Sequence, residues 1–305
     1  MPETGFAQHY NFKNFSVDEG LAQSQAKSIY QDSKGFLWIG TYGGGLNRFD
    51  RTSFTKYAED QGLPDNTVWH IDEDNDGNLW ISTSGGLTRF DGHHMHVFNE
   101  DDGMTSRDVW CSIQASDGSR WIGTAANGID IYKDGEFSQL DPGNAILNGG
   151  VNSIFEDSKG RFWIATFGLG LAMYENGEFT YYSIENGLTN DIVNHIAESP
   201  EGEIYVSTGT GITIFGDNGI RYVEKGEIAS SEIFWVLFDS NDNIWYGTED
   251  NGAFRYKDGE YSHYLESNGL AGNYIFCFLE DNTGNVWIGT DGGGIGRFID
   301  EKFVH

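Results

Sequence analysis

Cysteine, basic residues and long apolar runs are all scarce in this chain. Only Cys111 and Cys277 occur among 305 residues. They hold the same place in the third and seventh copies of the repeat described below, which are not neighbours, so a disulfide is not expected and both read as buried thiols. Lys and Arg total 18 against 47 Asp and Glu, a formal net charge of −29 spread along the whole chain. Such a surface repels nucleic acid and anionic lipid, which argues against a nucleic-acid role. It suits simple solubility, an extracytoplasmic or saline setting, or a cationic partner. No apolar stretch reaches the length of a membrane-spanning helix, so direct membrane insertion is not expected. No signal-peptide core follows Met1 either. Phe6-Ala7-Gln8 nevertheless resembles the stub around a signal-peptidase site. Residues 1–8 therefore read as a leader remnant or an added start, and 9–305 as one folded, periplasmic or extracellular unit. Nucleophile elbows are absent, and the Gly-rich runs Gly43-Gly-Gly45 and Gly292-Gly-Gly294 join strands rather than a strand to a helix, so they are not phosphate loops.

What the chain has in abundance is repetition. An acidic residue, a polar turn, Gly or Asn, a hydrophobic residue, Trp, Ile and Gly-Thr recur around Trp38, Trp80, Trp121, Trp163, Tyr205, Trp245 and Trp287. Seven copies about 42 residues apart mean one supersecondary unit that buries its apolar faces only against its neighbours. The fourth copy shows the unit: Val151–Glu156 alternates as a strand and Asp157-Ser-Lys-Gly160 turns. Phe162 to Thr166, Leu171 to Tyr174 and Phe179 to Ser183 follow as three more strands. Four short strands per repeat are a β-propeller blade. The segment Tyr10-Asn-Phe12-Lys-Asn-Phe15 with Asp18-Glu-Gly-Leu21 matches the end of a repeat, while the chain stops at His305 just as the seventh copy begins its fourth strand at Phe303. The expectation is a single seven-bladed, all-β propeller of four-stranded blades, with the N-terminal strand closing the last blade and hiding the sheet edges. The repeated Trp is expected to fill space between adjacent sheets. Function should lie where the blades differ.

Asp32-Ser-Lys-Gly-Phe-Leu-Trp-Ile-Gly-Thr41, followed by Gly43-Gly-Gly-Leu-Asn-Arg-Phe-Asp50, resembles the two-component regulator propeller repeat. Asp157 to Thr166, Asp281 to Thr290 and the links Glu19-Gly-Leu21, Gln61-Gly-Leu-Pro64 and Asn268-Gly-Leu270 are similar to it too. The fifth copy departs most, with Tyr205 for Trp and Pro200 in the turn. The resemblance implies a periplasmic sensor region of a bacterial hybrid histidine kinase or related receptor, often concerned with glycans. It also implies partners outside this chain: a second propeller or C-terminal receptor domains.

Propellers bind ligands on loops at one mouth of the central channel. After the Trp-Ile-Gly-Thr element the variable residues include Tyr42, Phe167, Glu249 and Asp291; at the start of the inner strands stand pairs such as Trp69-His70, Trp110-Cys111, Asn194-His195 and Phe234-Trp235. Aromatic faces beside polar groups suit stacking on a sugar ring. The candidates are Tyr42, Trp69, His70, Arg107, Trp110, Phe167, His195, Trp235, Glu249 and Asp291, for a small-molecule or oligosaccharide ligand; alternation along a strand buries some of them between blades. Asp72, Asp74 and Asp76 open like a calcium loop, but Thr83 stands where its terminal Glu belongs, and the same residues form the ordinary first hairpin. His94 and His96 have metal-ligand spacing without a fixed third ligand. No cofactor is expected beyond that calcium reading. Two other functions remain open: a protein-interaction scaffold, and a propeller-fold lyase using His70 or His195 as base beside Arg107.

Overall fold

The structure, a computed structural model, describes residues 12–140, 149–223, 228 and 231–299. The leader remnant read at residues 1–8, and Phe303, lie outside the described residues. Seven four-stranded antiparallel sheets are arranged as blades. Blades 1 to 6 occupy residues 26–57, 68–98, 109–139, 151–182, 193–222 and 233–264, each with its strands paired in chain order. Blade 7 combines Ile275–Glu280, Val286–Thr290 and Ile295–Phe298 with Phe12–Phe15 on its outer edge. The pairing Phe12↔Phe298 to Phe15↔Ile295 fastens the ring. Phe15 stacks on Trp287 at 5.8 Å between ring centroids, so the closing strand is held by its aromatic as well as its ladder. The first strand of each blade is innermost and touches the first strand of both neighbours all the way round.

Six blades are wedged against the next by their Trp, and blade 5 by Tyr205. Trp38 packs on Val68, Ile71 and Ile81 of blade 2, Trp163 on Val193 and Ile196 of blade 5, and Trp287 on Ile29 and Ile39 of blade 1. The indole is not purely apolar, and its N–H needs a partner once buried. In five blades Nε1 donates to the carboxylate of the acidic residue six positions earlier: Asp32, Asp74, Asp157, Asp239 and Asp281, at 2.8–2.9 Å. The other carboxylate oxygen accepts backbone N–H groups of the turn, as Asp239 Oδ1 does from Asn241 and Asn243. Burying an indole removes about 150–250 Å² from water, roughly 4–6 kcal/mol, against about 1.5–3 kcal/mol net for a hydrogen bond to a charged group. The wedge supplies most of the energy and the bond fixes where it points. Blade 3 has Ala115 in place of the acid, and Trp121 instead stacks on Phe162 at 3.8 Å.

The Gly-Thr that follows has two functions. The Thr hydroxyl donates to the carbonyl that opens the third strand in every blade, from Thr41 to Gly45 through Thr290 to Gly294. The Gly leaves room for the next blade: a Cβ on Gly123 would lie 2.7 Å from Val151 Cγ1. At the far end of the inner strands Glu73, Glu156, Glu198 and Glu280 accept from the backbone N–H and hydroxyl of Ser33, Ser116, Ser158 and Ser240 in the preceding blade. Gln114 and Gln31 make the corresponding contact with the N–H of Asn75 and Asn282. Between blades 5 and 6 the position is Phe238, which packs edge-on to Tyr205 instead.

The crossings were read from the sequence as plain links. Five described ones each contain a single 3-10 turn, such as Val17–Glu19, closed by a residue that reaches back to its own N-cap N–H. The Gly of the Gly-Leu link takes a positive φ, 103° at Gly20, and the Leu after it is buried. That is why the dipeptide recurs.

Asp239→Ala should destabilise the ring by about 3 kcal/mol in denaturant unfolding, because it strands a buried indole N–H and unties the turn. An unchanged midpoint would mean that the indole wedge needs no polar tether.

Candidate functional site

In every blade the pairing of first and second strands slips by one residue at the same place. Ala26 faces Thr41 and Ser28 faces Gly40, which leaves Lys27 as a bulge. Trp69, Trp110, Asn152, Asn194, Phe234 and Phe276 are its equivalents. A bulge re-aims the extra side chain away from the pleat. All seven bulged residues line one cavity of about 450 Å³ at the channel mouth where the inner strands begin. Phe167, Glu232, Trp235, Glu249 and Tyr274 complete the lining.

The wall has distinct sectors. Tyr42, Trp69, Trp110 and Phe167 form an aromatic arc over blades 1 to 4, each edge-on or tilted to the next at 5.9–6.5 Å between centroids. Trp110 has space because the neighbouring residue is Gly150, where a Cβ would come within 2.5 Å of its ring. Asn152 and Asn194 follow, their amides donating to the Val193 and Ile233 carbonyls of the next blade at 2.8 and 3.0 Å. A second aromatic group, Phe234, Tyr274 and Phe276, lies beside Glu232 and Glu249. Lys27 places its ammonium 3.4 Å from the Phe276 ring centroid and 5.6 Å from that of Trp69.

Of the residues expected from sequence, the structure brings Trp69, Trp110, Phe167, Trp235 and Glu249 together in the lining. Tyr42 stands at the rim, 48% exposed, and Asp291 beside it accepts from Gln25 Nε2 at 2.6 Å. His70 and His195 follow their bulges and form the channel wall below, each with a buried Nδ1 that has no protein partner. Burial pushes both imidazoles down, His195 to about 3 with His70 adding to the effect, so both are neutral and poorly basic. Arg107 is not in the lining: it pairs with Glu100 at 3.2 Å on the exposed crossing before blade 3. The pairing of a channel histidine with Arg107, which the lyase expectation needs, is therefore not assembled.

The three aspartates of the calcium reading are also drawn apart. Asp72 pairs with the buried Arg120 of blade 3 at 2.8 Å, and Asp74 spends its carboxylate on Asn78 and Trp80. Among the described residues no three His, Cys, Asp or Glu side chains are gathered as a metal site. His94 is exposed and faces Asp91, while His96 packs edge-on to Phe98.

Glu232 and Tyr274, each just before an inner strand, were not singled out from sequence, nor were Lys27, Asn152, Asn194, Phe234 and Phe276 chosen from the inner-strand pairs. The usable signal was positional. In each pair the first residue is the bulged one and turns to the mouth, whereas the second is often buried, as at Ser28, Cys111 and Cys277. The arrangement can stack planar or ring-shaped groups and hydrogen-bond them from amides, carboxylates, a phenol and an ammonium.

Burial pushes the Lys27 ammonium down to about 8, with Asp291 opposing the shift. Folding thus favours the neutral amine, and the protonated form costs stability at and below pH 8, where both folded and unfolded chains carry the proton. The cost fades as pH rises toward the ordinary lysine value of 10.5. Lys27→Met should accordingly raise the melting temperature at pH 7, and its advantage should shrink between pH 8 and 10.5. A constant advantage across that range would show that the ammonium is not desolvated.

Four segments of the chain, residues 20–43, 62–85, 145–168 and 269–292, match the family described as two component regulator propeller. No curated protein sequence matches the chain. Among solved structures it superposes on the extracellular domain ascribed to the hybrid two component system BT3049 of B. thetaiotaomicron, with TM-score 0.84 and 24% identity over 96% of this chain and 42% of that one. The corresponding domain of BT4673 from the same organism gives TM-score 0.79 and 20% identity over 95% and 43%. The chain thus spans about two fifths of the length of these relatives. Virginiamycin B lyase from Staphylococcus aureus gives TM-score 0.72 and 15% identity over 95% of this chain and 100% of the enzyme, a likeness of fold. The chain is a seven-bladed β-propeller in which four of the repeat segments match the two component regulator propeller family.

Proposed function

We propose that this propeller is an extracytoplasmic, non-catalytic ligand-sensing module of a two-component-type receptor, and that its ligand, a small molecule or oligosaccharide, binds at the bulge-lined mouth. One observation carries the reading: all seven blades turn their bulged residue into the same cavity, and those residues change around the ring, from Lys through a pair of Trp and a pair of Asn to a pair of Phe. Residues that only build a blade repeat; residues that contact an asymmetric ligand need not. The mix of Trp and Phe faces with Asn amides and carboxylates supports a saccharide, whose rings offer apolar faces and hydroxyl edges. The solved relatives described as extracellular domains of hybrid two component systems support the setting.

A closed ring of wedged blades is stiff, so the signal would leave it as a change in packing against a second propeller or receptor domain. The ligand can bias that packing only by its differential affinity for the two arrangements.

Screening glycan fragments by thermal shift should find a ligand that raises the melting temperature in proportion to occupancy and leaves no product on chromatography. Trp69→Ala with Trp110→Ala should then weaken that ligand by roughly tenfold or more, since stacking aromatics dominate such sites. Unchanged affinity in the double variant would rule out the mouth, and turnover would replace the sensor with an enzyme.

A further inference from the structure

Resting on the reading that the mouth binds a ligand, we infer that this ligand carries a protonated amine, held between Glu232, Glu249 and the rings of Phe234 and Tyr274; a saccharide with free amino groups fits. Glu232 and Glu249 are adjacent, the Glu249 N–H donating to the Glu232 carbonyl at 3.2 Å, and both side chains line the cavity. Among the described residues neither carboxylate has an ion-pair partner. Glu232 only accepts from the Asn194 amide, at 3.2 Å. Burial raises Glu232 above the usual carboxylate range and the charge of Glu249 pushes it the same way.

The one ammonium in the lining does not answer this pair. Lys27 has its own counter-charge in Asp291. What Lys27 does show is how the mouth treats such a group, because it lies directly over an aromatic face at Phe276. Tyr274 and Phe234, with centroids 5.0 Å apart, extend the same aromatic surface toward the two glutamates. The Tyr274 hydroxyl, pushed up to about 12 by burial and the nearby Glu249, Glu232 and Asp291, stays a neutral donor.

A neutral ligand filling this sector would strip water from two neighbouring carboxylates and return no charge, which is costly. An ammonium returns charge-assisted hydrogen bonds to both and a cation–π contact to the rings beneath. The net charge of −29 draws cations toward the whole surface. Selectivity must therefore reside in the local pair.

The test compares a β-1,4-glucosamine tetramer with its fully N-acetylated counterpart by titration calorimetry at about 0.15 M salt, where long-range attraction is screened. The amino tetramer is expected to bind roughly tenfold or more tighter than the acetylated one. Glu232→Gln with Glu249→Gln should erase that preference while the melting temperature holds. Equal or tighter binding of the acetylated tetramer would overturn the amine and leave the mouth standing as a site for neutral glycans. Amino-tetramer binding that survives in the double variant would overturn it as well, since the attraction would then come from the general field. If neither tetramer binds, the amine inference also falls, and the mouth is judged by the Trp69 and Trp110 variants against other glycans.

Discussion

The ring depends on a polar bond inside an apolar joint: in five blades the indole N–H of the wedge Trp is held by the aspartate of its own first turn. Without that bond a Trp between two sheets is a large side chain with several rotamers and an orphaned donor. With it, the turn, the second strand and the neighbouring blade are indexed to one another, as at Asp157, Trp163 and the Val193 strand. Blades 3 and 5 show what substitutes. Trp121 keeps its place by stacking face to face on Phe162, and the adjoining seam gains a buried Arg120–Asp72 pair that also covers the Trp80 ring. Blade 5 replaces the donor with Tyr205 and the acid with Ser199, and rests on Phe238.

The bulge makes this rigidity usable. Residues on either side of it, such as Ala26 and Ile29, are committed to the core and vary little in character. The bulged residue has no partner across the ladder, and its side chain turns to the mouth. It accepts Lys, Trp, Asn or Phe without disturbing the ladder on either side. Scaffold and cavity lining thus sit one residue apart on the same strand, seven times over.

That adjacency explains how much could be read in advance. The repeat length and turn residues reveal the architecture because each is a local requirement copied seven times, and the lone N-terminal strand completes the last blade. Trp69, Trp110, Phe167 and Trp235 were visible as aromatics breaking the pattern. His70 and the bulged residue before it look equivalent in a string of letters, and only the register slip tells which faces the mouth. Arg107 stood out by charge in an acidic chain, yet Glu100 seven residues earlier holds it on the crossing. Glu232 and Tyr274 precede the strands that position them, where no periodicity marks a direction. The Asp–Trp bond escaped as well: the acid lies in the turn, outside the alternation of the strand that carries the Trp, and the two become a contact only once the hairpin folds.

The seam between blades 5 and 6 is unlike the rest. Six seams are clasped at their far end by Glu or Gln reaching a preceding turn; here Phe238 can offer only its edge. At the other end the same seam is bridged by the Asn194 amide, which donates to both Ile233 and Glu232. In mechanical terms this link lacks the far-end clasp of the other six, and the side on which Asn194 holds it opens onto the mouth cavity. A molecule seated against Asn194 and Glu232 would lie across that link, so binding energy and ring compliance meet at the same few atoms.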